Sequence, residues 1–400
     1  MHLTDLRHKK TAVWGMGKEG QAMADFLQKQ QIDFLAITPE NEQDVLSCEV
    51  VFKSPGISLY HPLVSAAKEK GVIITSGTNF YMETKPTGIK TIAVTGTKGK
   101  STTSSLMAHV LKKMGYRVGF GGNIGVPLIQ LWDQPMDFLV AELSSYQCSD
   151  LSTGFDISIV TNLYPEHVDW HQTHERYYRD KLHLLAVRAP GQKAVLNAKN
   201  EKLMQLTDGL KEVVYFNQTV STIKSPLLGQ HNQENIDAVR TALAILGLPT
   251  HDLEKNLADF KPLAHRLEVF EIDGVTYVDD SISTTPETAV AALKVFEGKR
   301  RFLFVGGYDR QQDYGCLFDY IAGKDITLVC LPDTGRRIYN QMQGGFMAAD
   351  MKAAVAWVKE QVHSGDVVIL SPGAPSYNCY ANFEERGLDF KNCVCPQKNS

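Results

Sequence analysis

No apolar run in the 400 residues approaches the roughly 18 needed to cross a bilayer. The start, Met1 to Lys10, is polar and basic, and no apolar stretch of the signal-peptide type follows it. These absences predict a cytoplasmic protein that engages no membrane. A surplus of positive charge is missing too. Forty-one Lys and Arg face 45 Asp and Glu, a net charge of -4, so no global field is available to hold a polyanion and no nucleic-acid partner is expected. The seven cysteines, Cys48, Cys148, Cys316, Cys330, Cys379, Cys393 and Cys395, include no C-x-x-C pair of the zinc or redox type. Free thiols in a reducing compartment are the ordinary outcome. Internal repeats and low-complexity tracts are likewise absent.

What is present is the composition of a globular protein, 43% hydrophobic and 22% charged, long enough at about 150 residues per domain for two or three domains. The chain opens with an apolar strand (Thr11 to Trp14), a glycine-rich turn, a helix (Gln21 to Gln31) and a second strand (Phe34 to Ile37). Val50 to Phe52, a helix over Pro62 to Lys70 and a strand at Val72 to Thr75 continue the pattern. Lys85-Pro86-Thr87-Gly88 has the composition of a linker, which sets a first domain at 1-88. The pattern then restarts. Strands are predicted at Ile92 to Thr95, Val118 to Phe120, Phe138 to Glu142 and Ile157 to Asn162, with helices at Ser101 to Met114 and Gln233 to Leu246. Lys261-Pro262 closes a central domain at 89-262. A third α/β unit, 263-400, follows, with strands at Thr276 to Val278, Arg301 to Val305, Ile326 to Leu331 and Val367 to Leu370 between helices such as Pro286 to Phe296 and Met351 to Gln361. Alternation of this kind means α/β architecture with mostly parallel sheets.

The most informative segment is Gly96-Thr97-Lys98-Gly99-Lys100-Ser101-Thr102, between a predicted strand and a predicted helix. Glycines let backbone N–H groups turn inward around an anion, the helix N-terminus adds its dipole, Lys100 supplies a charge for the β- and γ-phosphates, and Ser101 or Thr102 can hold Mg²⁺. The usual spacing would place glycine at 94, where Val94 stands, so this is a shortened phosphate loop. The opening turn, Gly15-Met16-Gly17-Lys18-Glu19-Gly20, matches G-x-G-x-x-G, yet the second strand ends in Ala36-Ile37-Thr38-Pro39 without the acid that a nicotinamide site places on the ribose. A diphosphate other than NAD fits this turn better.

Glu142, at a strand end, and His167, in Asn162 to Asp169, are candidates for Mg²⁺ beside the phosphates. A zinc reading of His167, His171, His174 and His183 lacks a compact four-ligand spacing. The helical pattern over Tyr177 to Leu185 leaves Lys181 as an ordinary solvated lysine. Asn232 and Asn235, opening a helix, read either as cap and turn residues or as amides facing a purine edge. Arg266 follows His265 just past the second boundary, where an arginine can reach a γ-phosphate across an interdomain cleft; an exposed hinge residue is the alternative.

Taken in order, Gly96 to Thr102, Gly122-Asn123-Ile124-Gly125, Glu142-Leu143-Ser144-Ser145, Asn162 to Asp169, Tyr178-Arg179-Asp180-Lys181, Gly229 to Asn235, His265-Arg266, Asp280-Ser281 and Ser371 to Gly387 resemble the Mur ligases of peptidoglycan synthesis, in particular the branch that adds glutamate. The resemblance implies three domains: an N-terminal Rossmann-like unit for the UDP moiety, a central phosphate-loop ATPase, and a C-terminal Rossmann-like unit for the amino acid. It implies a monomer that uses ATP, glutamate and UDP-N-acetylmuramoyl-L-alanine, and makes the amide through an acyl phosphate in cell-wall biogenesis.

By the same resemblance, Lys181 is carbamylated and holds a second Mg²⁺ with His167, while Glu142 and Ser101 serve the first. Asn235 and Asp280 contact the adenosine, Arg266 and Lys100 the phosphates, and Asn123 the muramoyl portion. Thr284, Arg310, Ser376 and Phe383 face the glutamate, and Gly15, Gly17 and Ser54 surround the uridine diphosphate. Three positions depart from the family pattern: Lys98 replaces an asparagine, and Ile282 and Arg310 replace lysines. An arginine offers a planar fork where lysine offers a point charge, so the pose of the amino acid's carboxylate changes. D-glutamate is the expected substrate and L-glutamate, epimerised later, the alternative. A folate polyglutamate ligase, a nicotinamide-dependent oxidoreductase and a nucleotide switch are more distant readings.

Overall fold

The computed structural model describes residues 2–219 and 222–395. Met1 and the last five residues of the predicted third domain lie outside the described residues. Two compact units are present, one comprising Met1–Ser225 with His231–Phe260, the other Pro226–Gln230 with Lys261–Ser400.

The first unit contains two parallel sheets. β1 (Thr11–Trp14), β2 (Phe34–Ile37), β3 (Val50–Lys53) and β4 (Ile73–Thr75) lie in the order β2-β1-β3-β4. β5 (Lys90–Thr95), β6 (Val118–Gly122), β7 (Phe138–Glu142), β8 (Ile157–Val160), β9 (Lys193–Asn197) and β10 (Val213–Phe216) lie in the order β10-β9-β8-β5-β7-β6. All five strand pairs of this sheet run parallel. β7 and β8 are buried along their whole length, as parallel strands covered on both faces must be, which is why they read as unbroken apolar runs. From β5 the chain goes first to the β7-β6 side and later to the β8 side. The loop after β5 therefore sits at a switch point, where open α/β sheets bind ligands.

One apolar core runs through both sheets. Met23, Phe26 and Phe80 from the first 88 residues pack in the same cluster as Leu128, Ile129, Leu139 and Phe155. The linker-like Lys85 to Gly88 segment thus connects two sheets that share a core. Lys53, at the end of β3, is fully buried and pairs with Asp150 at 3.1 Å while donating to the Ile57 carbonyl at 3.0 Å.

The second unit holds one mixed sheet. β11 (Glu268–Ile272), β12 (Val275–Asp279), β13 (Arg301–Gly307), β14 (Ile326–Asp333), β15 (Phe346–Met347) and β16 (Val367–Leu370) lie in the order β11-β12-β16-β13-β14-β15, with only β11 and β12 antiparallel. Among the described residues no helix is long and apolar enough to cross a membrane, and all seven cysteines are free thiols.

Candidate functional site

The loop after β5 has the backbone that an anion cradle needs. Gly96 and Gly99 adopt φ values of +145° and +81°, and the helix Lys100–Lys113 begins immediately after Gly99. Side chains are excluded by space as well. A Cβ on Gly96 would stand 1.9 Å from the Thr161 hydroxyl, and one on Gly99 would stand 2.5 Å from Asn235 Oδ1. The wall behind the loop is polar: Asn162 Oδ1 accepts from the Lys98 N–H at 2.8 Å, and Thr161 donates to the Lys98 carbonyl at 2.6 Å. Thr97 is held by Tyr177, whose hydroxyl lies 2.9 Å away. Lys100 Nζ donates to the Thr97 carbonyl at 3.0 Å. Ser101 and Thr102 are buried in the first helical turn.

Glu142 ends β7 beside the loop and is fully buried. Asn123 donates to its Oε1 at 2.7 Å, while Oε2, also buried, has no hydrogen-bond partner among the described residues. A buried carboxylate oxygen without a donor is costly unless a cation or a proton-bearing ligand meets it. The fit to a hard cation is good. His167, at φ +55°, opens the short helix Val168–His171 and is partly exposed. Burial together with the Lys181 and Lys100 charges lowers its pKa against the pull of Glu166. Lys98 pairs with Glu166 at 3.0 Å, so the lysine that departs from the family pattern is engaged beside the loop. Burial opposes ionisation of Glu166, but Lys98, His167 and Lys100 overcome it and hold its pKa below the usual carboxylate value.

Lys181 corrects the local sequence reading. It is 2% exposed, on the inner face of the helix His174–Ala186, and donates to the Gly96 carbonyl at 2.9 Å. Tyr177, Tyr178, Asp180, Leu184 and Leu185 are buried on the same helix, so its apolar stripe carries the lysine inward. Burial first, and the Lys100 charge second, bring its pKa down to about 7.

Asn235 is buried within the helix Gln230–Ile245, accepts from Thr103 at 3.1 Å and donates to Asn232 at 3.1 Å. Asn232 lies inside that helix, not at its cap. The zinc reading fails geometrically: His171 bonds Asp180 and Ser145, His183 bonds the Leu151 carbonyl, and His174 is exposed.

In the opening turn Gly15 has φ +86°, and Gly17 caps the helix Lys18–Lys29, which starts three residues earlier than the periodicity predicts. Ser54 donates to the Gly15 carbonyl at 2.5 Å, and a Cβ on Gly20 would fall 1.9 Å from that carbonyl oxygen. Glu19 accepts from Gln147 at 3.0 Å.

In the second unit, His265 (φ +61°) and Leu267 (φ +47°) flank Arg266. His265 Nδ1 lies 2.6 Å from Asp279, and Asp280 accepts from the Leu267 N–H at 3.2 Å and from Ser371 at 2.7 Å. Burial raises Asp280 to about 7. His265, Glu268 and Asp279 form a ligand-type cluster, but Lys391 already stands 2.6 Å from Glu268 and 3.4 Å from Asp279. Phe383 begins the helix Phe383–Val394, and its carbonyl accepts from Ser281 at 2.8 Å. Ser376 is buried, Thr284 is half-buried with its carbonyl bonded by Gln312 at 3.2 Å, and Arg310 is exposed. Arg386, part of the Ser371 to Gly387 segment but given no role there, is 1% exposed and bonds Ser281 and the Ala374 carbonyl.

Strand, glycine loop and helix at a switch point define the phosphate-loop class of α/β proteins. Residues 94–219 match the Mur ligase middle domain, and residues 265–373 match the Mur ligase glutamate ligase domain. A protein of Micromonospora sp. named "UDP-N-acetylmuramoyl-L-alanine--L-glutamate ligase" is 35% identical over 98% of both chains. Relatives of the same name in Salinispora tropica and Xylella fastidiosa are 34% and 35% identical, covering 98% of this chain and 99% and 96% of theirs. Among solved structures, a MurF ligase of Thermotoga maritima in complex with ADP superposes with a TM-score of 0.65 at 16% identity, covering 98% of this chain and 95% of that one. The UDP-N-acetylmuramate-alanine ligase of the same organism gives 0.61 at 17% identity, covering 96% and 99%. The chain belongs to the Mur ligase family.

Proposed function

We propose that the protein joins L-glutamate to UDP-N-acetylmuramoyl-L-alanine with ATP and Mg²⁺, making a peptidoglycan precursor in the cytoplasm as a monomer. The observation that carries this reading is the convergence of an unpartnered Glu142 oxygen and the buried Lys181 on the loop at Gly96. Of the two isomers, L-glutamate, second in the sequence reading, is preferred because the relatives at 34% to 35% identity are named for it. The three-domain assignment, 1-88, 89-262 and 263-400, is retained: UDP moiety, ATP and glutamate respectively.

A carboxylate is a poor electrophile at neutral pH. Its oxygen attacks the γ-phosphorus of ATP, ADP departs, and the acyl phosphate has a leaving group that the glutamate amine displaces as inorganic phosphate. The loop N–H groups and Lys100 hold the triphosphate, and Arg266 offsets its γ-charge. Two Mg²⁺ ions, when bound, neutralise the anions brought together there. Ser101 and Glu142 would hold one, and His167 with Lys181 the other. An ammonium cannot ligate a metal, but an amine titrating at about 7 is substantially neutral near physiological pH, the form that adds CO₂ to become a carbamate. Asn235 and Asp280 are assigned to the adenosine, Asn123 to the muramoyl portion, and Gly15, Gly17 and Ser54 to the diphosphate. Thr284, Arg310, Ser376 and Phe383 are assigned to glutamate.

The test is phosphate release with ATP, Mg²⁺ and UDP-N-acetylmuramoyl-L-alanine, run in parallel with D- and L-glutamate and followed by chiral analysis of the product. Release with L-glutamate alone is expected. Release with D-glutamate alone reverses the isomer, and release with a folate acceptor instead reassigns the substrate.

A further inference from the structure

His171 is fully buried at the end of the helix Val168–His171, and both its ring nitrogens are used. Nδ1 lies 2.7 Å from Asp180 Oδ2, and Nε2 lies 2.9 Å from the Ser145 hydroxyl. Asp180 also accepts from the Tyr60 hydroxyl at 2.8 and 2.9 Å, and Tyr60 in turn accepts from Arg179 at 2.7 Å. The imidazole is packed among Trp170, Tyr177 and Tyr146, with ring centroids 4.4, 5.3 and 5.4 Å away.

The three residues linked by this ring stand on the three segments that carry the proposed metal ligands beyond the loop itself. Ser145 follows Glu142 by three residues, His171 follows His167 by four, and Asp180 precedes Lys181. We propose that His171, bonded to Ser145 and Asp180, is a positioning residue that fixes the spacing of Glu142, His167 and Lys181 around the metal. This inference rests on the ligase reading above. Ser, His and Asp in this order of contact also make the relay of serine hydrolases. That activity is excluded by access, because Ser145 is 2% exposed and His171 is sealed.

A buried ring with both nitrogens bonded and three aromatic rings around it is held in one orientation, so each of the three segments is referenced to the others through it. Outer partners of this kind orient ligands without touching the ion. Removing the imidazole while keeping an aromatic of similar volume leaves the packing and deletes both links.

The test measures Mn²⁺ binding to the full chain with a non-hydrolysable ATP analogue, by calorimetry or electron paramagnetic resonance, for wild type, His171→Phe, His171→Gln and Ser145→Ala. His171→Phe is expected to weaken Mn²⁺ at least about tenfold. Its metal-free nucleotide affinity and its KM for glutamate should stay unchanged, and its thermal transition should remain cooperative. His171→Gln, which restores one polar link, should recover part of the loss. Ser145→Ala, which deletes one end only, should weaken Mn²⁺ about threefold or more and carries the test if His171→Phe does not fold. Wild-type Mn²⁺ affinity in a folded His171→Phe, or in Ser145→Ala, overturns the proposal. Wild type that binds no Mn²⁺ with nucleotide sinks the ligase reading, a separate result.

Discussion

Lys181 illustrates what a single residue's surroundings do to its chemistry. Its flanking pattern, Tyr177 to Leu185, is that of an ordinary helix, yet folding places the amine against Gly96 and away from water. Lys181→Ala should be inactive in the ligation assay and regain turnover with added short carboxylates; absence of rescue by any of them counts against a carbamate. Lys100→Ala should lower kcat by a factor equivalent to about 2.7–4 kcal/mol, by analogy with a lost oxyanion donor, and a variant within tenfold of wild type would remove Lys100 from the phosphates. Glu19 offers a test by pH. Burial raises its pKa from 4.5 to about 7, so the folded chain keeps a proton that the unfolded chain has lost. Stability from this group therefore falls as pH rises from about 4.5 to about 7 and is level above. Glu19→Gln is neutral throughout, so its melting temperature relative to wild type should climb across that window; a constant difference contradicts the assignment. Lys100, Glu142 and His167 could be singled out as candidates because their motifs are local. His171, Asp180 and Tyr60 were not, because their link joins positions as far as 120 residues apart.

At the scale of elements, strands with continuous apolar runs were read within a residue or two: β1, β2, β7 and β16 match the expected spans. β9, β10, β11 and β15 were missed. β11 is an edge strand alternating half-buried and exposed positions, in a hairpin with β12 around Asp273-Gly274, so it lacks the apolar run that marked its neighbours. The helix Gly77–Thr84 was missed as well, since most of it is buried and no polar face marks its period. What fastens the first sheet to the second is also invisible locally. Lys53 and Asp150 form an ion pair out of reach of water. Lys53→Met leaves the buried Asp150 without its partner and should cost about 3–5 kcal/mol in urea unfolding. Adding Asp150→Leu should recover most of that loss, whereas additive losses would mean the pair is not coupled.

For the whole molecule, the order of the motifs along the chain was enough to place it among the Mur ligases, because motifs such as Gly96 to Thr102, Glu142 to Ser145 and Asp280-Ser281 sit at strand ends and the strands follow one another in a fixed topology. The isomer of glutamate was not legible in the same way. Arg310 is exposed, Thr284 half-buried and Ser376 buried, and stereochemistry depends on how such side chains converge, which no spacing encodes. The central claim is chemical: a carboxylate oxygen passes to the terminal phosphoryl of ATP at the loop 96–102. It is tested most directly with UDP-N-acetylmuramoyl-L-alanine labelled with ¹⁸O in its carboxylate, ligated to L-glutamate with ATP and Mg²⁺, and the released phosphate analysed by mass. One labelled oxygen per phosphate released is predicted; phosphate carrying none contradicts the account.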